Sequence, residues 1–146
     1  EFDAIILAEA GLRRLELDEH ITQILPVEWF LPAVGQGALG IETRAADAES
    51  RAALAVLDDP ATHASVLAER ALLAGLRGGC LAPVGAWARI VDNDLLLDAV
   101  VLSVDGKQRL TATRRGSPAD AAHLGHDAAE ELLAAGAAEL IRSAKT

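Results

Sequence analysis

The amino-acid sequence predicts an α+β fold for residues 59–146: one helix, a three-stranded antiparallel sheet and two more helices, with the helices covering one sheet face. Three observations predict it. Ala64, Leu67, Ala68, Ala71, Leu72 and Leu76 recur at helical spacing. Extended runs follow, separated by the turn formers Asp92-Asn93-Asp94 and Asp105-Gly106. A second helical stripe, Ala121, Leu124, Ala128 and Leu132, comes after Ser117-Pro118.

Along the chain, Ala4-Ile5-Ile6-Leu7-Ala8 is a continuous apolar run that reads as a strand buried on both faces. Few later segments could flank such a strand, so its sheet neighbours are expected upstream of residue 1. Glu9 to Leu15 then reads as a turn leading into a short helix. Asp18 is placed to cap a second one, with Ile21, Ile24 and Leu25 along one face and Pro26 ending it. In Leu31-Pro32-Ala33-Val34-Gly35-Gln36-Gly37-Ala38-Leu39-Gly40-Ile41-Glu42, the three glycines predict close approach of backbone to a neighbour or ligand. Ala45 to Leu57 reads as helical.

Asp59-Pro60 opens the next helix with an acid at the cap and proline at the first position, and Gly78-Gly79 stops it. Strands are expected over 86–91, 95–104 and 107–114. Asp105-Gly106 is a two-residue hairpin signal. Ser117 caps the following helix, Gly136 ends it, and a short terminal helix completes the chain.

Charge narrows the partners. Thirteen basic residues against 22 acidic ones give a net charge of −9, which argues against nucleic acid and against an anionic membrane surface. It leaves room for a small anionic ligand held by a few arginines. The single Cys excludes an internal disulfide and points to a reducing compartment. No apolar run reaches the roughly 20 residues of a membrane-spanning helix and no leader pattern opens the chain, so the cytoplasm is expected.

Few residues carry chemistry. Cys80 follows Leu76-Arg77-Gly78-Gly79 and precedes Ala82-Pro83. The glycines leave room beside the sulfur, and Arg77 is close enough in sequence to favour a thiolate. A lone Cys used as a small apolar filler is the commoner use of a single cysteine, and spacing alone favours it. Arg13 and Arg14 could fork onto a carboxylate or simply lie on a solvated helix face. The Gly35-Gln36-Gly37 turn offers backbone donors and one side-chain amide, or serves only as a crossover; its spacing is not a dinucleotide fingerprint. His123 and His126 lie three apart, with no third ligand to make a metal site. The Glu130-Glu131 pair belongs to a solvated face.

Taken together these segments resemble the porphobilinogen deaminase (hydroxymethylbilane synthase) family. The resemblance rests on Asp3 to Ala8 with Ala10 to Leu15, on Leu31 to Glu42, and on Ala68-Glu69-Arg70-Ala71. Leu76-Arg77-Gly78-Gly79-Cys80-Leu81-Ala82-Pro83-Val84-Gly85, Arg114-Arg115-Gly116 and Ala129 to Leu133 complete it.

The resemblance implies two α/β domains, like those of periplasmic binding proteins, ahead of the α+β domain. It also implies that residues 1–31 end the second of them, that 32–58 cross over and return to the first, and that 59–146 form the C-terminal domain. The family condenses four porphobilinogen molecules into hydroxymethylbilane, releasing ammonia, in tetrapyrrole and heme biosynthesis. The growing pyrrole chain is built on a dipyrromethane cofactor held as a thioether by the loop cysteine, which the resemblance places at Cys80. A thiolate is suited to capture the electrophilic methylene left when ammonia departs.

By the same resemblance Arg14 binds acetate and propionate groups, while Ala8, Gln36 and Gly37 line the active-site cleft. The catalytic aspartate lies in the N-terminal half, so no catalytic residue is assigned within these residues and no metal is expected. This segment alone is expected to be inactive, within a parent transferase that is a cytoplasmic monomer. Glu9 departs from the family pattern, an acid where small residues are familiar. The competing readings are a non-catalytic α+β binding module and an enzyme that uses the Cys80 thiol directly.

Overall fold

A computed structural model describes residues 2–79 and 81–144. The chain divides into two compact units, Glu1–Phe30 and Leu31–Thr146.

In the first unit the expected strand at residues 4–8 does not form. The segment forms no regular element and pairs with no strand among the described residues, and Ile5, Ile6 and Leu7 are 72, 66 and 57% exposed. A strand needs a neighbour to satisfy its backbone groups, and the sheet among the described residues does not include this segment. Helix α1, Glu9–Arg14, starts directly at Glu9, without the expected turn. Beyond its C-cap Leu15, Glu16 with φ of +58° lets Leu17 N donate back to Leu12 O at 3.0 Å and closes the helix. Asp18 caps no helix. Only one 3-10 turn, Asp18–His20, forms there, and the Asp18 carboxylate accepts from Arg13 instead.

The second unit holds the α+β fold. Helix α2, Ala48–Leu54, is capped by Asp47, which accepts from Ser50 N, and continues as a 3-10 turn, Ala55–Leu57. Helix α3, Pro60–Gly75, begins as the sequence requires, with Asp59 accepting from Thr62 N at 2.7 Å and Pro60 at the first position. Its end differs from expectation. Arg77, not Gly78, takes the left-handed conformation (φ +51°), and Gly78 N donates to Leu73 O. Gly78 serves packing instead, since a Cβ there would lie 2.6 Å from Leu73 Cδ1.

Strands β1 (Val84–Val91), β2 (Asp94–Leu102) and β3 (Arg109–Gly116) form one antiparallel sheet in the order β1-β2-β3. Asp92 and Asn93 both have positive φ and make the tight β1–β2 hairpin. The β2–β3 connection is longer than the expected two residues. Of Asp105 and Gly106 only Gly106 turns left-handed (φ +70°), so Leu102 pairs with Arg109 across a wider loop and β3 starts two residues late.

A 3-10 turn, Pro118–Asp120, leads into helix α4, Ala121–Ala134, and Gly136 (φ +103°) separates it from α5, Ala137–Ser143. Leu72, Leu95, Leu97, Val101 and Leu132 are fully buried between these helices and one sheet face. Of the predicted α3 stripe, Ala64, Ala68, Leu72 and Leu76 are buried while Leu67 remains 45% exposed. Helices α3 and α4 cross at Gly125 and Gly75. A Cβ on Gly125 would overlap the Ala68 carbonyl oxygen, and one on Gly75 would sit 2.6 Å from Ala129 Cβ.

Candidate functional site

The sheet alternation fixes what faces away from the core. Ala86 and Ala88 of β1 point inward, so Trp87 and Arg89 project from the opposite face. The Arg89 guanidinium lies 3.6 Å over the Trp87 ring and pairs with Asp98 at 2.7 Å. Asp98 also accepts from Thr113 Oγ1 at 2.8 Å, completing the cross-strand row Trp87, Asp98, Thr113. Asp98 therefore fixes an arginine that is already stacked.

Against the free edge of β1 runs the segment Leu31–Gly37. Ala33 bridges Gly85, and Ala86 N donates to Pro32 O at 2.9 Å. Of the two neighbours expected for Gly35, Gly37 and Gly40, another chain segment or a ligand, the first is not found among the described residues; the tight chain packing here is at Gly85. A Cβ on Gly85 would sit 3.0 Å from Leu31 Cβ and from Val100 Cγ1, whereas Cβ atoms on Gly35, Gly37 and Gly40 would meet nothing within 4 Å. Gly35 and Gly37 are needed for conformation, with φ of +73° and +87°.

Glu69 joins these pieces. It is the buried charged side chain among the described residues, 7% exposed on α3. Its two carboxylate oxygens accept from Gly35 N at 2.7 Å and from Ala88 N at 2.8 Å. Burial pushes the Glu69 carboxyl above its ordinary range, and the two backbone donors restrain that rise. Around this group lies an open cleft of about 390 Å³, lined among others by Gln36, Gly37, Thr62, Ser65, Trp87 and Arg89. That volume lies within the range of small-ligand clefts.

The sequence-predicted residues fall in both units. Gln36 and Gly37 share the cleft of the second unit. Ala8 and Arg14 belong to the first, at the two ends of α1. Ala8 is the N-cap residue, with extended backbone. The adjacent arginines have different fates. Arg13 pairs with Glu9 at 2.7 Å and with Asp18 at 2.8 Å, which raises its pKa, whereas Arg14 makes no ion pair or side-chain hydrogen bond among the described residues. The unusual Glu9 is thus neutralised within its own helix.

Cys80 lies outside the described residues. Nearby, Arg77 is exposed and Ala82 N donates to Gly79 O at 2.9 Å. His123 faces Asp127 at 3.6 Å on the surface of α4, and Glu131 pairs with Arg114. No group of three His, Cys, Asp or Glu among the described residues could hold a metal ion. No helix among them is long and apolar enough to cross a membrane.

Sequence reasoning missed the roles of Glu69, Trp87, Arg89 and Asp98. A signal existed for Glu69: an acid beside Ala68 in the buried stripe of α3 must find partners. The outward Trp87 could have been found from the period-2 alternation of β1.

Comparison with known proteins finds two matches along the chain. Residues 1–52 match the family model "Porphobilinogen deaminase, dipyromethane cofactor binding domain", and residues 63–134 match "Porphobilinogen deaminase, C-terminal domain". Ala8, Arg14, Gln36 and Gly37 fall in the first match and Cys80 in the second. A porphobilinogen deaminase of Syntrophobacter fumaroxidans is 50% identical over 140 residues, covering 96% of this chain and 45% of the relative. One of Roseiflexus castenholzii is 49% identical over 141 residues, covering 97% and 46%. The chain thus spans about half the length of these relatives.

Proposed function

Because the chain belongs to the porphobilinogen deaminase family, we propose that it forms the C-terminal half of a transferase that condenses four porphobilinogen molecules into hydroxymethylbilane with release of ammonia. The observation that carries this is the near-50% identity to porphobilinogen deaminases along 96% of the chain. On this reading residues 1–31 complete a second α/β domain, 32–58 return to a first, and 59–146 are the cysteine-bearing domain. The exposed Ile5-Ile6-Leu7 run then finds its strand neighbours in the N-terminal half of the protein, which also supplies the catalytic aspartate. The whole protein is a cytoplasmic monomer that binds neither nucleic acid nor membrane.

The residues present suit a dipyrromethane, whose acetate and propionate groups call for cationic and amide donors. Arg14 has no partner among the described residues and offers a planar fork for one carboxylate. Gln36 offers an exposed side-chain amide and Gly37 a backbone amide on a left-handed turn. Cys80 supplies the thioether sulfur. When bound, the cofactor provides the pyrrole end to which substrate is joined. Arg14, Gln36 and Gly37 orient carboxylates, and Glu9 is kept from repelling them by Arg13.

Turnover of porphobilinogen by a full-length chain carrying these 146 residues tests the reading. Activity there, and none in this segment by itself, is the expected pair of results. An inactive full-length chain with cofactor attached would contradict it.

A further inference from the structure

We propose that Glu69 is a positioning residue that clamps the Gly35-Gln36-Gly37 turn to strand β1 and so sets where Gln36 and Gly37 meet a carboxylate-bearing pyrrole. The inference rests on the deaminase reading for its ligand, and on geometry for the clamp.

The turn has few other ties. Gln36 N donates to Ala33 O and Ala38 N to Gly35 O, both within the turn itself. The Ala33–Gly85 bridge and the Ala86–Pro32 hydrogen bond hold only the residues before Gly35. After Gly37 the chain forms no ladder up to the turn at 45–46, and Leu39 is almost fully exposed. The Gly35–Glu69 hydrogen bond is therefore the tie that reaches from the turn to α3.

The same carboxylate holds Ala88 N on the outer edge of β1, beside Trp87 and Arg89. One buried acid thus joins three segments distant in sequence. A core group that merely needed its own hydrogen bonds satisfied could have taken both donors from one loop. Glu69 takes them from two different walls of the cleft, and Gln36 sits directly after one of the donors.

The test uses a full-length chain carrying these residues. Glu69→Leu keeps a side chain of similar size but removes both acceptor oxygens, so neither Gly35 N nor Ala88 N keeps its partner. Exchange of the Gly35 amide should quicken about tenfold, while core amides of α4 stay protected. The KM for porphobilinogen should rise about tenfold, with kcat changed far less. Gln36→Ala should raise KM similarly, and the double variant should be no worse than Gln36→Ala alone, because both changes disable the same turn.

Unchanged Gly35 exchange overturns the clamp. Exchange that quickens equally in α4 overturns it too, since the role is then one of global stability. KM effects that multiply in the double variant overturn the positioning role. A wild-type full-length chain without turnover defeats the deaminase reading instead, and Gly35 exchange then decides the clamp by itself.

Discussion

The backbone amide of Gly35 donates to Glu69 Oε2 at 2.7 Å, across 34 residues of sequence, and joins a surface turn to a buried helix face. With Ala88 donating to the other oxygen, the carboxylate offsets part of its burial cost through two backbone hydrogen bonds.

The same group makes stability depend on pH. Burial raises the Glu69 carboxyl above its ordinary value of 4.5, so the folded state binds its proton more tightly than the unfolded one. That contribution is fully present below pH 4.5 and is lost as pH rises through the raised value. Glu69→Gln has no such proton. Denaturant unfolding of both proteins from pH 4 to 8 should therefore show the variant gaining on wild type as pH rises; a constant difference would refute the shift.

Gly125 should tolerate no side chain. Its Cβ would overlap the Ala68 carbonyl oxygen and lie 2.7 Å from Ala71 Cβ, and backbone on two packed helices cannot yield cheaply. Gly125→Ala is expected to cost about 3 kcal/mol and to lower the thermal midpoint by roughly 6–12 °C. Calorimetry checks this.

Arg77 ends helix α3 in a conformation that suits glycine, with φ of +51°. Arg77→Gly should stabilise the fold by about 1 kcal/mol, because the left-handed strain on a β-carbon disappears. The urea midpoint is the measurement, and a lower midpoint would show that the arginine side chain contributes more than its backbone costs.

The two neighbouring arginines should separate in kinetics. Arg13 is engaged by Glu9 and Asp18, whereas Arg14 has no partner among the described residues. In a full-length chain Arg14→Ala should raise the KM for porphobilinogen about tenfold or more, and Arg13→Ala should change it little. Equal effects would mean that the ion pairs of Arg13 open when ligand binds.

Local structure was legible in the sequence. Asp59-Pro60 and Gly136 act within a turn of their own position as the residue chemistry requires. Most of the Ala64–Leu76 stripe is buried although Leu67 is not, and Ser117 caps the 3-10 turn ahead of α4, not α4 itself. Features that depend on distant partners were not legible. The apolar run at 4–8 has strand character but no ladder to join among the described residues, and the tight chain packing beside the glycine-rich turn falls at Gly85, outside the turn itself. The meaning of Glu69 lies in Gly35 and Ala88, 34 and 19 residues away, where no local pattern points. The roles proposed for Arg14, Gln36 and Gly37 come from resemblance, not from their spacing.

On the deaminase reading everything turns on Cys80 as the anchor of a dipyrromethane. Mass spectrometry of the Cys80-containing peptide from active full-length protein is the decisive measurement. A thioether-linked dipyrromethane on that cysteine is expected, with no adduct in Cys80→Ser. An unmodified Cys80 in fully active protein would contradict it.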